Sequence, residues 1–373
     1  MKKGFLILFS SIFFLTLSAC NFNNRLLILN WGEYINEDLV EAFEEEFNVQ
    51  VVIDIADSNE LFYSKIKSGT TVYDLVVPSD YMVEKMITND LLQEIDYSLI
   101  PNINENNPFM DGVNHIYSQM LEGSEKYSVP YFWGTFGLMY NKRKAGLEEA
   151  LINDPWGVYF NPESRPSGTR VGMYDVSRYA YAANAFYNEK NPNEFSDELL
   201  SSARENLRKA NFTEWGNDTL KKGIKADNLD LAFVYTGDFL DMLYTDLTDG
   251  LTFEDIEYDI LIPERTISFM DCLVIPKKAR HADLAHKFMN FMLYEDNAYE
   301  NASVVGYATP LQNTFDNIIA GIGSDDQWLN DWGLANYKYY SIDLTTGEFR
   351  VPLQNFEQTI LDRINQMVNN VRT

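Results

Sequence analysis

The chain has 373 residues, of which 46% are hydrophobic and 14% aromatic, and its formal charge at neutral pH is −27. That much apolar material excludes a disordered chain and suffices for two packed domains at ~100–200 residues each. The charge excludes nucleic acid as a partner, because binding phosphates requires clustered Lys and Arg. An acidic surface attracts cations weakly across a Debye length of ~8 Å, so specificity has to come from a built site.

Lys2 and Lys3 precede an uncharged run rich in Leu, Ile and Phe that ends at Ala19. The run is shorter than the ~20 apolar residues of a spanning helix and reads as a secretory signal peptide over 1–19. Leu17-Ser18-Ala19-Cys20 resembles the lipobox of bacterial lipoproteins. That implies cleavage before Cys20, its thioether lipidation and acylation with palmitate-like chains. The expectation is an extracytoplasmic protein on a lipidated tether, 20–25, that touches the membrane only through this anchor. Cys272 is the only other cysteine, so the mature chain has no internal disulfide. Its apolar neighbours predict a buried strand thiol.

Apolar spacing then predicts a strand over 25–31. A helix follows, capped by Asn36, with Leu39, Val40, Phe43 and Phe47 at helical spacing. A strand over 49–54, a helix over 59–68, a strand over 74–78 and a helix over 81–87 come next. Later strands are expected over 170–174, 231–235 and 267–275, with helices over 178–187, 194–209 and 283–294. The β-α-β-α-β alternation predicts an α/β fold of mostly parallel sheets flanked by helices. Such sheets bind ligands outside the carboxyl ends of their strands, here at Trp31 to Tyr34 and Ser79 to Tyr81. With no internal repeat and no Gly/Ser linker, two lobes joined by several crossings are expected.

Six segments in order carry a resemblance. They are Asn30-Trp31-Gly32-Glu33-Tyr34, Ser58-Asn59-Glu60, Tyr73-Asp74-Leu75-Val76-Val77-Pro78-Ser79, Val129-Pro130-Tyr131-Phe132-Trp133-Gly134, Met270-Asp271 and Gly306-Tyr307-Ala308-Thr309-Pro310. Together they resemble the spermidine/putrescine-binding proteins of bacterial ABC importers, over about residues 26–350. The resemblance implies a two-lobed periplasmic binding fold (type II) with ligand held in a cleft closed by hinge motion, a mode of change known for such proteins. It implies lobe 1 over 26–134 and 270–315 and lobe 2 over 135–269 and 316–373. It also implies no enzyme activity, no cofactor, a monomer, and a permease in the inner or cytoplasmic membrane as partner.

A cleft for a linear polyamine must offer carboxylates to each ammonium, because an unpaired charge removed from water costs several kcal/mol. The methylene stem needs flat apolar walls, and aromatic faces add ~0.5–2 kcal/mol of cation–π attraction. Trp31, Tyr34, Tyr81, Tyr235, Phe269 and Tyr307 are the candidate walls, and Glu33, Asp175, Asp238 and Asp271 the candidate acids. Ser79 either caps the helix after it or hydrogen-bonds the ligand. Asp238, in an aromatic-x-Gly-Asp pattern with Tyr235 where Trp is usual, either caps a helix or binds. Asp271 lies among apolar residues at the expected hinge crossing, where a carboxylate without a partner is costly.

Two positions depart from the resemblance. Arg178 stands one helical turn after Asp175, where a Glu is common, and Arg350 aligns with a usual Gln, Gln354 being the alternative. If both face the cleft, fixed positive charge disfavours a tri- or tetra-cation and favours a shorter diamine or an amino-acid-like ligand. If Arg178 pairs with Asp175, one ammonium site is neutralised. The remaining alternative is a surface adhesin or sensor that has lost transport. His115, His281 and His286 have no metal-ligand spacing, and Tyr339-Tyr340 reads as packing rather than an iron site. No nucleophile elbow, P-loop or dinucleotide fingerprint is present.

Overall fold

A computed structural model describes residues 24–104, 106–341 and 350–372. The leader over 1–19, Cys20 and the start of the tether lie outside the described residues. Strand β1 (Arg25–Asn30) is buried from Leu26 onward and pairs in parallel with β2 (Gln50–Ile55) and β3 (Leu75–Val76). The helices between them are capped as their sequences require. Asn36 accepts the Asp38 N–H at the start of Glu37–Phe47, and Ser58 accepts the Leu61 N–H at the start of Asn59–Ser68. β3 is shorter than the expected strand: Pro78 has no N–H to continue the ladder, and the Asp74 carboxylate takes the Leu27 N–H.

Seven further strands follow in the described residues: β4 (Ser128–Asn141), β5 (Val171–Tyr174), β6 (Glu214–Gly216), β7 (Leu231–Tyr235), β8 (Tyr258–Leu261), β9 (Thr266–Val274) and β10 (Arg350–Pro352). The sheet runs in the order β2-β1-β3-β9-β4-β7-β5-β6, with β10 on β9 and β8 on β4. All 14 residues of β4 are buried. Its first part, Ser128 to Thr135, lies antiparallel to β9, while from Phe136 it pairs with β7 and from Leu138 also with β8. The chain thus leaves the first half of the molecule along β4 and returns along β9, side by side and in opposite senses.

That arrangement joins the expected parallel sheets by antiparallel crossings. Each half has a parallel set, β2-β1-β3 and β6-β5-β7, but the crossings between them are antiparallel. A strand that carries the chain out and a neighbour that brings it back cannot run in the same direction. Each half has its own aromatic centre. Phe43 meets Phe288 edge-on at 5.0 Å in the first, and Trp156 and Phe136 close on Phe233 at 5.4 and 4.8 Å in the second. Cys272 is fully buried in β9, in keeping with an inert strand thiol. No helix among the described residues is long and apolar enough to cross a membrane.

Candidate functional site

A cavity of about 140 Å³ opens where the two parallel sets point their carboxyl ends at each other. From the first half come Trp31 to Tyr34 after β1, Ala56 to Glu60 after β2 and Ser79 and Tyr81 after β3. From the second come Tyr174 at the end of β5, Asn217, Asp218 and Lys221 after β6, Tyr235 at the end of β7 and Asp238 just after it. Asp271, from the middle of β9, lies on the floor between them.

Asp271 is 5% exposed, and two hydroxyls hold its carboxylate. Ser79 Oγ donates to Oδ1 and the Tyr34 hydroxyl to Oδ2, each at 2.6 Å. Ser79 does not cap its helix through its side chain, because that oxygen is committed to Asp271. Asn59 fixes Ser79 in turn, donating Nδ2–H to its Oγ and accepting its N–H, both at 3.0 Å. Burial pushes the Asp271 pKa up to about 6, and the two hydroxyl bonds oppose that rise. No cation among the described residues pairs with it. The carboxylate is therefore oriented and desolvated, and lacks only a positive charge.

Asp238 lies in the first turn of the helix Thr236–Thr248, inside it rather than at its cap, which is Tyr235. Its Oδ1 accepts from the Tyr307 hydroxyl at 3.3 Å and lies 3.7 Å from Lys221 Nζ, while Oδ2 is buried with no hydrogen-bond partner among the described residues. Burial raises its pKa to about 6 against the pull of Lys221. Lys221 itself is 5% exposed and sits 2.7 Å from Asp241 Oδ2. Burial lowers its pKa, but Asp238 and Asp241 more than offset this, so it stays protonated.

The walls between the two acids are aromatic. Trp31 is pinned by an Nε1–H bond of 2.8 Å to the Val77 carbonyl and lies 4.6 Å from Phe62. Tyr307 packs edge-on against Tyr34 at 4.9 Å. It lies so close to Gly237 that a Cβ there would fall 2.1 Å from its ring. The glycine of the aromatic-x-Gly-Asp pattern is thus required by the ring that covers it. Tyr235 is held by a 2.7 Å hydroxyl contact with Tyr179 and by Phe136 at 4.0 Å. Glu33 adopts φ 52° in a left-handed turn that leaves its carboxylate exposed at the mouth and sends Tyr34 inward. Chemically, the arrangement suits a cation at each acid and an apolar stem between them.

The model of the family of bacterial extracellular solute-binding proteins matches residues 38–336. The chain belongs to that family. It is 29% identical over 304 residues to the putrescine-binding periplasmic protein SpuD of Pseudomonas aeruginosa, covering 78% of this chain and 80% of that one. It is 26% identical over 349 residues to the spermidine/putrescine-binding periplasmic protein of Escherichia coli, covering 87% and 92%. Among solved structures it resembles a Listeria monocytogenes protein assigned to spermidine/putrescine ABC transport, with 30% identity, a TM-score of 0.74 and coverage of 94% and 99%.

Of the residues expected in this solute-binding protein's site, Trp31, Glu33, Tyr34, Ser79, Tyr81, Tyr235, Asp238, Asp271 and Tyr307 line the cavity. Four do not. Asp175 is exposed and paired with Arg372 of the C-terminal helix. Arg178 neither faces the cavity nor pairs with Asp175. It is buried, donates to the Pro192 carbonyl and to Asn193 Oδ1, both at 2.9 Å, and stacks 4.1 Å from the Phe356 ring. Phe269 stands one layer back, edge-on to Tyr235 at 4.9 Å. Arg350 begins β10 beside Thr266 and is not among the lining residues. Sequence reasoning missed Lys221, Asp241, Tyr174 and Tyr179, and used Asn59 only as part of a motif. Tyr339 and Tyr340 are packing residues, bonded to Asp259 and to the Gly306 carbonyl.

Proposed function

We propose that this chain is the extracytoplasmic ligand-binding component of an ABC importer for polyamines, presented to its permease on a lipid anchor at Cys20 and acting as a monomer. The observation that carries this reading is the pair of buried carboxylates, Asp271 and Asp238, facing one aromatic cavity, with Asp271 lacking any cationic partner among the described residues and one Asp238 oxygen lacking any partner. One ligand ammonium would sit on Asp271, already oriented by Ser79 and Tyr34, and the other on Asp238 Oδ2. The stem would pass between Trp31, Tyr81, Tyr235 and Tyr307, with Glu33 at the mouth. The relatives named for putrescine and spermidine support the same ligand class.

The lobes would divide where β4 changes partners, as 26–134 with 270–315 against 135–269 with 316–373, and close on the ligand about β4 and β9. Arg178 turned away from the cavity removes the reason to set transport aside in favour of an adhesin or sensor. Calorimetry with putrescine and spermidine at physiological salt tests the reading. Micromolar affinity, roughly −8 kcal/mol, is expected. Absence of heat or thermal shift at millimolar ligand would refute it.

A further inference from the structure

We propose that Lys221 is a built-in end-stop that makes this cavity select a diamine over a longer polyamine; the inference rests on the reading of the cavity as a polyamine site. The helix Asp218–Lys225 is amphipathic, and its other lysines, Lys222 and Lys225, are exposed. Lys221 alone turns inward. Its ammonium lies 2.7 Å from Asp241 and 3.7 Å from Asp238, at the boundary between the 140 Å³ cavity and an adjoining groove of about 600 Å³. Lys221, Asp241, Glu33 and Val305 line both spaces, so they form the partition.

The position of that charge decides how many ammonium groups the site can hold. A diamine uses Asp271 and the unpartnered Oδ2 of Asp238, and needs nothing further. A triamine bound in the same way sends its third ammonium across the partition. There Asp241 already holds Lys221, whose ammonium repels the newcomer, and the other carboxylates within reach, Glu33, Glu37, Asp38 and Asp218, are exposed and pair only weakly. At a few ångströms and an effective dielectric near 20, such repulsion corresponds to about tenfold or more in affinity. The other way out of the cavity passes Asp57 and Glu60, both exposed, where an ion pair contributes little. Lys221 thus occupies the place of a further ligand charge, and the protein supplies that charge itself.

The test is the ratio of putrescine to spermidine affinity, measured by calorimetry on the purified protein and its variants in one buffer. Wild type is expected to prefer putrescine at least tenfold. Lys221→Met, which keeps the stem and removes the charge, is expected to reduce that preference at least tenfold, and Lys221→Arg to retain it. Equal affinities in the wild type, or a preference within threefold of wild type in K221M, would overturn the proposal while leaving polyamine binding intact. A wild type that binds neither amine overturns the underlying reading as well. Should K221M not fold, Asp241→Asn carries the test. It frees the ammonium to move onto Asp238, so putrescine affinity should fall at least fivefold, and unchanged affinity would overturn the proposal.

Discussion

Replacing Asp271 with Asn should separate binding from stability, with effects of very different size. In the unliganded protein the ionised carboxylate is held against a burial cost that lifts its pKa from 3.8 to about 6, equivalent to about 3 kcal/mol at neutral pH. Asn removes that cost. It also turns one of two acceptor oxygens into a donor, so either Ser79 Oγ or the Tyr34 hydroxyl, both now donating at 2.6 Å, must reorient or lose its bond. A hydrogen bond to a charged group contributes ~1.5–3 kcal/mol, so the two changes nearly cancel. Unliganded stability at pH 7.5 should therefore stay within about 1 kcal/mol of wild type by urea denaturation. Binding has no such compensation. Removing one partner of a buried charge pair costs ~2–5 kcal/mol, at least about 30-fold in affinity. An affinity loss below threefold together with a stability loss above about 2 kcal/mol would show that Asp271 only holds β9 in place.

Three further outcomes follow from the same geometry. Gly237→Ala places a Cβ 2.1 Å from the Tyr307 ring, so affinity should fall more than about tenfold and stability by about 1–3 kcal/mol, measured by calorimetry and thermal melts. Asp271 and Asp238 both have folded pKa values near 6, above their unfolded 3.8, so between about pH 4 and 6 the unliganded native state binds more protons than the unfolded chain. Their contribution to unliganded stability should fall as pH rises through that window, while ligand affinity rises at least about tenfold from pH 5 to 7.5; affinity unchanged between those pH values would refute the assignment. Arg178→Met should cost about 1–3 kcal/mol of stability by leaving the Pro192 carbonyl without its donor and Asn193 Oδ1 with only the Gln354 N–H, yet shift the diamine-to-triamine affinity ratio by less than threefold.

Local signals in the sequence are sufficient where one element decides the outcome. Asn36 and Ser58 cap the helices they precede, and the apolar run after Arg25 forms a buried strand whose end carries Trp31. β4 has no such signal. It is buried on both faces, so its residues do not alternate, and Pro130, Gly134 and Gly137 interrupt any strand pattern. The sense in which β4 and β9 pair depends on where the chain must return, which no short window encodes. Lys221 sits beside Lys222 and near Lys225, a stretch that reads as a solvated helix face, and its burial depends on Asp238 and Asp241 arriving from another helix. Arg178 misleads for the opposite reason. Its spacing from Asp175 suggests a shared site, but Asp175 precedes the helix that Arg178 belongs to, and the guanidinium follows the helix face toward Pro192.

The side chains that build the cavity are spread along the chain from Trp31 to Tyr307, and Tyr34 meets a carboxylate 237 positions away. No short fragment contains a site, nor does a nascent chain that has not reached residue 307. At synthesis rates of about 5–20 residues per second, roughly 15–60 s pass before the last wall exists. A chain carried away unfolded within that time takes no cargo from the compartment where it was made, however concentrated the ligand is there. Capture begins only where the whole polypeptide has been allowed to fold.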